Sequence, residues 1–500
     1  MAGDPVGRGA GQLPLGAVER ERLHDLRLSL AGPPNGNVYS PRASLIAPPA
    51  SGGAQGGARG NRTTTMMNWS DKHSGRADLW YAPLAVFLLI YPALTVVKQG
   101  GASALLIAAG VLSLGAGVAV RRVLSGPATP YGADRLVRLT GWALCAPLVA
   151  VILSEAWHGQ LRWNAFDAPA RFLAAVPLFL LLRRAPLRWL RWADGSFAVA
   201  ALAGLGVCLW AARDWGEGRM GSTFLNPIHF GDIALVLGVL SALSINWWRK
   251  DPLAVRLLKI GGLLAGLVAS LLTGSRGGWV ALPFILMLVV IMRGRDKPAR
   301  WRVLVPAVAV LGVVALYIVS GTIRERIHMV WADLAQYGQG QKDTSVGIRL
   351  QIYQAALMLI PQHPIFGLGP GGFADSLQAL VDAGRMTATA AQLGRGEAHN
   401  QLLAYTANFG LVGGLAIVAI HLVPGLLCWR CLKAPAAPMR RAALMGAVFA
   451  LAFFVFGLTV EIFTLKMTAS FYAAVIACLA GIASHTGPAA EAGTSSPTER

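Results

Sequence analysis

Six residues in this chain have the types and settings to bind charge and move a proton: Arg171, Arg219, Arg276, Arg349, His399 and Asn400. Arg276 sits in TGSRGGWVALP, and Arg219 opens GRMGSTFLNPIHF, which also holds Asn226 and His229. Arg171 follows Asp167 by four residues in FDAPARFL, and His399-Asn400 lies in EAHNQLLAYTANFGLVGG. Arginine suits a phosphate or diphosphate because its planar fork donates two parallel hydrogen bonds. A histidine titrating near neutrality can take the proton of a hydroxyl nucleophile. No DxD, paired-histidine spacing, cluster of carboxylates or glycine-rich nucleotide loop accompanies these residues. Neither metal nor cofactor is therefore expected, and a donor must arrive already activated.

Each residue also has a plainer reading. An isolated arginine at a membrane surface can snorkel, and Asp167 and Arg171 are spaced for a salt bridge along one helix face. His399 could cap the helix that follows it. Cys428 and Cys431 have CxxC spacing but no second pair, so zinc is not expected there.

The elements that must position these residues follow from composition. Hydrophobic residues make up 55% of the 500 and charged residues 14%, against about 25% charged in soluble domains. Mean hydropathy is +0.53. Twelve apolar runs are long enough to cross a bilayer: 79–97, 102–120, 137–154, 165–182, 195–212, 228–247, 256–272, 278–292, 303–320, 401–427, 441–460 and 464–483. The expected fold is an all-α polytopic membrane protein. The formal charge of +20 would suggest nucleic acid in a soluble protein. Here it reads as basic cytoplasmic loops, with no nucleic acid implied. Arginines and lysines, Lys259 among them, concentrate in alternate loops, which places both termini in the cytoplasm.

By the same count residues 321–400 lie on the outer face, between spans nine and ten. Residues 344–360 carry apolar positions at helical spacing up to Pro361, HPIFGLGPGGF reads as a tight turn, and 375–383 as a further short helix. This stretch is expected to form a helical cap, after spans one to nine in 67–320 and before the last three in 401–484. Residues 1–66, rich in Gly, Pro, Ala and Arg, are expected to be disordered, with Met66 or Met67 as an alternative start. The same is expected of 485–500. Five cysteines exclude a disulfide scaffold.

His399-Asn400, nine residues, Gly410, two residues and Gly413 have the form H-[NSQ]-x9-G-x-x-[GTY]. This resembles the signature of O-antigen ligases, within the O-antigen ligase and polymerase superfamily. SRGGW, FLNPIHFG, and Arg349 followed by HPIFGLGPGGF resemble other segments of that superfamily, over roughly 79–480. Val280 stands where the ligase pattern often has leucine. The resemblance implies metal-independent, inverting transfer of O-antigen from undecaprenyl diphosphate to a sugar hydroxyl of lipid A–core. That reaction would take place on the periplasmic side of the inner membrane. It implies His399 as general base and Arg276 and Arg349 as diphosphate ligands, with Arg219 and Arg171 in the same cavity. It further implies that Asn400 orients His399, and that Gly410 and Gly413 allow close approach to a neighbouring helix. An O-antigen polymerase is the nearest alternative. A lipid or ion transporter, from another class, would need inverted repeats and broken helices.

Overall fold

The structure is a computed structural model that describes residues 64–119, 134–211, 213–216, 219–275, 277–293, 321–486 and four single positions between 300 and 318. The expected tail before 64, most of the expected ninth span, Arg276 and residues beyond 486 lie outside the described residues.

The described chain is mostly helical. Seven helices are long and apolar enough to cross a membrane, and four shorter apolar helices stand with them. These seven and four fall, in order, on eleven of the twelve expected runs. In chain order the elements used below are α1 (Thr64–Val97), α2 (Gly101–Ala119), α3 (Asp134–His158), α4 (Trp163–Phe166), α5 (Pro169–Leu182), α6 (Leu187–Leu190) and α7 (Ser196–Trp210). Then come α8 (Pro227–Leu243), α9 (Leu253–Leu272), α10 (Ala281–Arg293), α11 (Gly321–Gly338), α12 (Ser345–Leu359), α13 (Gly372–Asp382) and α14 (Ala388–Gly396). The last three are α15 (Gln401–Cys431), α16 (Ala437–Gly457) and α17 (Lys466–Ala483).

Burial sorts the apolar helices. α8 is enclosed almost all round, packed on α7, α9 and α16. α15 runs along α3 and α16, and α17 along α5 and α16. Outer positions do the opposite: Trp210 is 84% exposed and Leu415 67%. Water would penalise such a surface, whereas lipid covers it. Lys259 departs from the basic-loop expectation. Its side chain is fully buried, with Nζ 2.6 Å from Asp194 Oδ1 and 3.0 Å from Asp251 Oδ2. It joins the first half of α9 to two neighbouring turns instead of standing in an open loop, because a buried cation persists only when paired.

The stretch expected to be a cap does form helices, α11 to α14. α12 to α14 share a core with the start of α15, in which Ile352, Ala356, Phe373, Leu377, Ala390 and Ala404 are buried. Thr344 caps α12 through Gly347 N–H at 3.1 Å, and Thr387 caps α14 through Ala390 N–H at 3.2 Å.

α15 is broken at Gly410, which has φ 64° and ψ −162°. The HPIFGLG turn fills the break. Leu368 N–H donates to Ala407 O and Gly369 N–H to Asn408 O, both at 2.9 Å, while Leu411 N–H reaches back to Pro364 O at 2.8 Å. The close approach at Gly410 is therefore to this turn and not, as the resemblance implied, to a neighbouring helix. A Cβ at 410 would overlap the carbonyl of Ile365. The crowding at Gly413 likewise comes from its own helix, at Tyr405 and Phe409.

Candidate functional site

Residues 397–400 connect α14 to α15 and pass through a junction of four segments. His399 has φ 54°, in the left-handed region that side chains other than glycine rarely occupy. Its carbonyl oxygen accepts from the Tyr353 hydroxyl at 2.9 Å. Its ring Nδ1 lies 3.5 Å from Glu397 Oε1, with both side chains 21% exposed, and Nδ1 makes no hydrogen bond. Tyr353 follows Arg349 by one helical turn, so α12 presents both on one face. Burial pushes the Tyr353 hydroxyl up and keeps it a donor, while the Arg349 guanidinium acts in the opposite direction.

Asn400 does something different from what the resemblance implied. Its Oδ1 accepts from Leu403 N–H at 3.0 Å and caps α15, and its Nδ2 donates to Leu458 O at 3.3 Å. It neither touches nor orients the imidazole through these bonds. The same observation removes the plainer reading of His399, since the helix already has its cap.

Glu461, in the loop between α16 and α17, ties the junction together. Its N–H donates to Glu397 Oε1 at 2.8 Å, and its Oε1 accepts from Ala398 N–H. Its carbonyl oxygen meets His229 Nε2 at 3.0 Å. His229 in turn reaches Asn226 Oδ1 through Nδ1 at 2.8 Å, and Asn226 caps α8. The turn bearing Arg276 borders this junction: Gly277 lies against the Thr459 side chain and Gly278 against the Asp232 carboxylate. Arg276 itself is outside the described residues. Arg219 Nε donates to Thr273 O at 3.3 Å, at the head of that turn.

Among the described residues, the Arg171 side chain makes no hydrogen bond or ion pair with this group. Asp167 pairs with Lys466 Nζ at 2.5 Å and not with Arg171, so the expected helix-face salt bridge is not made. Arg171 Nε is buried without a hydrogen-bond partner.

A cavity of about 310 Å³ opens beside the junction, at the small end of the range of roughly 300–1,000 Å³ typical of ligand sites. Arg162, Asn164, Glu397, Tyr405, Glu461 and Thr464 contribute to its wall. None of the five described candidate residues does, so Glu397 is the link between this space and His399. Glu397 and Glu461 bring two carboxyls together here, where the sequence offered no carboxylate cluster. The E-x-H spacing was available as a signal, because residues two apart in extended chain share a side. Nothing local marked Glu461.

The two carboxyls differ in state. Burial alone would raise Glu397, but the contact with His399 and the Glu461 N–H outweigh it and hold the group below its usual range. Burial, with Glu397 beside it, pushes Glu461 up to about 7. The folded protein then binds this proton more tightly than the unfolded chain. Its stabilising contribution is complete below the ordinary value of 4.5 and is lost as pH rises through about 7. Thermal unfolding in detergent should therefore show a midpoint that falls between about pH 4.5 and 7 and levels off above that. Glu461→Gln, neutral throughout, should flatten that decline, and an equal decline in both proteins would contradict the assignment.

Among the described residues no group of three or more His, Cys, Asp or Glu side chains is placed to hold a metal ion. Cys428 and Cys431 are buried free thiols.

Comparison with known proteins adds two findings. Residues 261–418 match the family model described as O-Antigen ligase, a stretch running from α9 through the Arg276 turn and α11 to α14 into α15. An uncharacterized protein of Haemophilus influenzae is similar, at 27% identity over 264 residues, covering 52% of this chain. The chain matches 64% of that relative's length, under two thirds. The stretch 261–418 is similar to the O-antigen ligase family.

Proposed function

We propose that this chain is an O-antigen ligase. It transfers O-antigen polysaccharide from undecaprenyl diphosphate to a sugar hydroxyl of lipid A–core, on the periplasmic face of the inner membrane. In this reading twelve spans leave both termini in the cytoplasm and residues 321–400 outside. The observation that carries it is His399. It is freed from helix capping by Asn400, keeps a partly exposed ring, and lies in the junction that borders the Arg276 turn.

The chemistry follows from the residues. His399 takes the proton of the acceptor hydroxyl as its oxygen attacks the anomeric carbon of the donor sugar. The bond from that carbon to the diphosphate breaks, and undecaprenyl diphosphate leaves with the electron pair. Attack from the face opposite the leaving group inverts the anomeric centre. Arg276 and Arg349 stabilise the negative charge that grows on the diphosphate. Arg219 supports the turn that carries Arg276, and Arg219 and Arg171 are the weaker candidates for the cavity that holds the diphosphate. Positive charge on the leaving group comes from arginine, so the purified enzyme should stay active in EDTA. Loss restored by Mg²⁺ or Mn²⁺ would overturn that part of the mechanism.

Deleting the gene and separating lipopolysaccharide on a gel tests the assignment. A ligase mutant keeps complete core and accumulates lipid-linked O-chain. Core carrying a single repeat unit would point to a polymerase instead. In the complemented strain Arg276→Ala should abolish ligation, and Arg276→Lys should restore little, since an ammonium cannot form the bidentate fork. Full activity of the lysine variant would show that charge alone suffices there.

A further inference from the structure

We infer that Glu397 is a positioning residue for His399: its carboxylate accepts the Nδ1–H hydrogen bond, fixes the ring tautomer and leaves Nε2 as the basic nitrogen. This rests on the reading of His399 as general base. Three observations carry it. His399 Nδ1 is buried without a hydrogen bond, and Glu397 Oε1 stands 3.5 Å away. That separation is longer than a formed bond, as expected before substrate closes such a site. Glu397 is itself held, because Glu461 N–H fixes Oε1 at 2.8 Å and Glu461 Oε1 takes Ala398 N–H. The backbone of His399 is kept in its left-handed conformation while Tyr353 holds the carbonyl. Strain of this kind persists only where surrounding contacts over-determine it. A ring so anchored has one nitrogen turned to the carboxylate and the other left for the acceptor hydroxyl.

The charged and titratable groups gathered at this junction are Glu397 before α15, Tyr353 and Arg349 on α12, Glu461 in the α16–α17 loop, and His229 and Asp232 on α8. Of these Glu397 has the direct contact with the imidazole.

The test uses full-length protein in detergent with lipid-linked donor and lipid A–core. Glu397→Gln should lower kcat roughly 10- to 100-fold, part of the 10²–10⁴ that a general base contributes, with donor KM within about twofold. A second readout needs no turnover. Nitrogen-15 imidazole spectra of the protein, which has nine histidines, can be assigned to His399 by subtracting a His399→Asn spectrum. At pH 8 the wild-type ring should carry its proton on Nδ1, and Glu397→Gln should weaken that preference. An Nε2–H tautomer in wild type, or a tautomer unmoved in Glu397→Gln, would overturn the inference. If Glu397→Gln does not fold, Glu397→Asp keeps the charge but withdraws the carboxylate, and should show the same weakened preference. If wild type transfers no sugar, the ligase reading falls while the tautomer still decides the role of Glu397.

Discussion

His399→Ala should lower ligation by roughly 10²–10⁴-fold while leaving the protein folded and able to bind donor. An acceptor hydroxyl is a poor nucleophile at neutral pH, and without a base its proton must leave unaided. The fold should survive because the helix cap belongs to Asn400 and the network around Glu461 uses backbone atoms of 397–399 together with the Glu397 carboxylate. The left-handed backbone sharpens the test. Asparagine and glycine tolerate φ 54° better than histidine does. If His399 served only that turn, His399→Asn and His399→Gly would ligate normally. As a base, both variants should match wild type in thermal stability, or exceed it slightly, and remain as inactive as alanine. Measuring the unfolding midpoint and ligation rate on the same preparations separates the two cases.

Gly410→Ala should be the most destabilising single methyl that can be added near the site. The φ/ψ pair of Gly410 belongs to a region open essentially to glycine alone, at a cost of about 1–3 kcal/mol for other residues. The added Cβ would also meet the Ile365 carbonyl. Relief requires the 364–369 turn to withdraw, which strands the carbonyls of Ala407 and Asn408 that it now satisfies. A total of about 3 kcal/mol or more is expected, with ligation lost because residues 397–400 are held against the same helix. A Gly410→Ala protein with a wild-type unfolding midpoint would refute the account. The contrast with His399→Ala is the useful one: one variant folded and inactive, the other inactive because it is unfolded.

The sequence by itself determined the class of fold and most of the path of the chain. Charge depletion over runs of about 20 residues needs only hydropathy to be read, and eleven of those runs coincide with apolar helices. The helix from Ser345 to Leu359 was visible as well, since its cap, its periodicity and its terminating proline are all local signals. The sequence also singled out His399, because its spacing to Gly410 and Gly413 resembles a ligase signature.

Tertiary structure decided how the parts serve one another. Whether Asn400 orients a ring or caps a helix depends on which atoms lie within 3 Å, and spacing alone allows both. Asp167 could choose between Arg171 and Lys466, which is 299 positions further along the chain, and the structure pairs it with the latter. Lys259 looked like one more loop cation until Asp194 and Asp251 closed around it. Glu461 was invisible as a site residue because its importance lies in contacts with Glu397, Ala398 and His229, all distant in the chain. Hydropathy and helix periodicity are summed over neighbours along the chain and so survive in the sequence. Hydrogen-bond partners and buried charge are set by distances across the fold, which only packing creates.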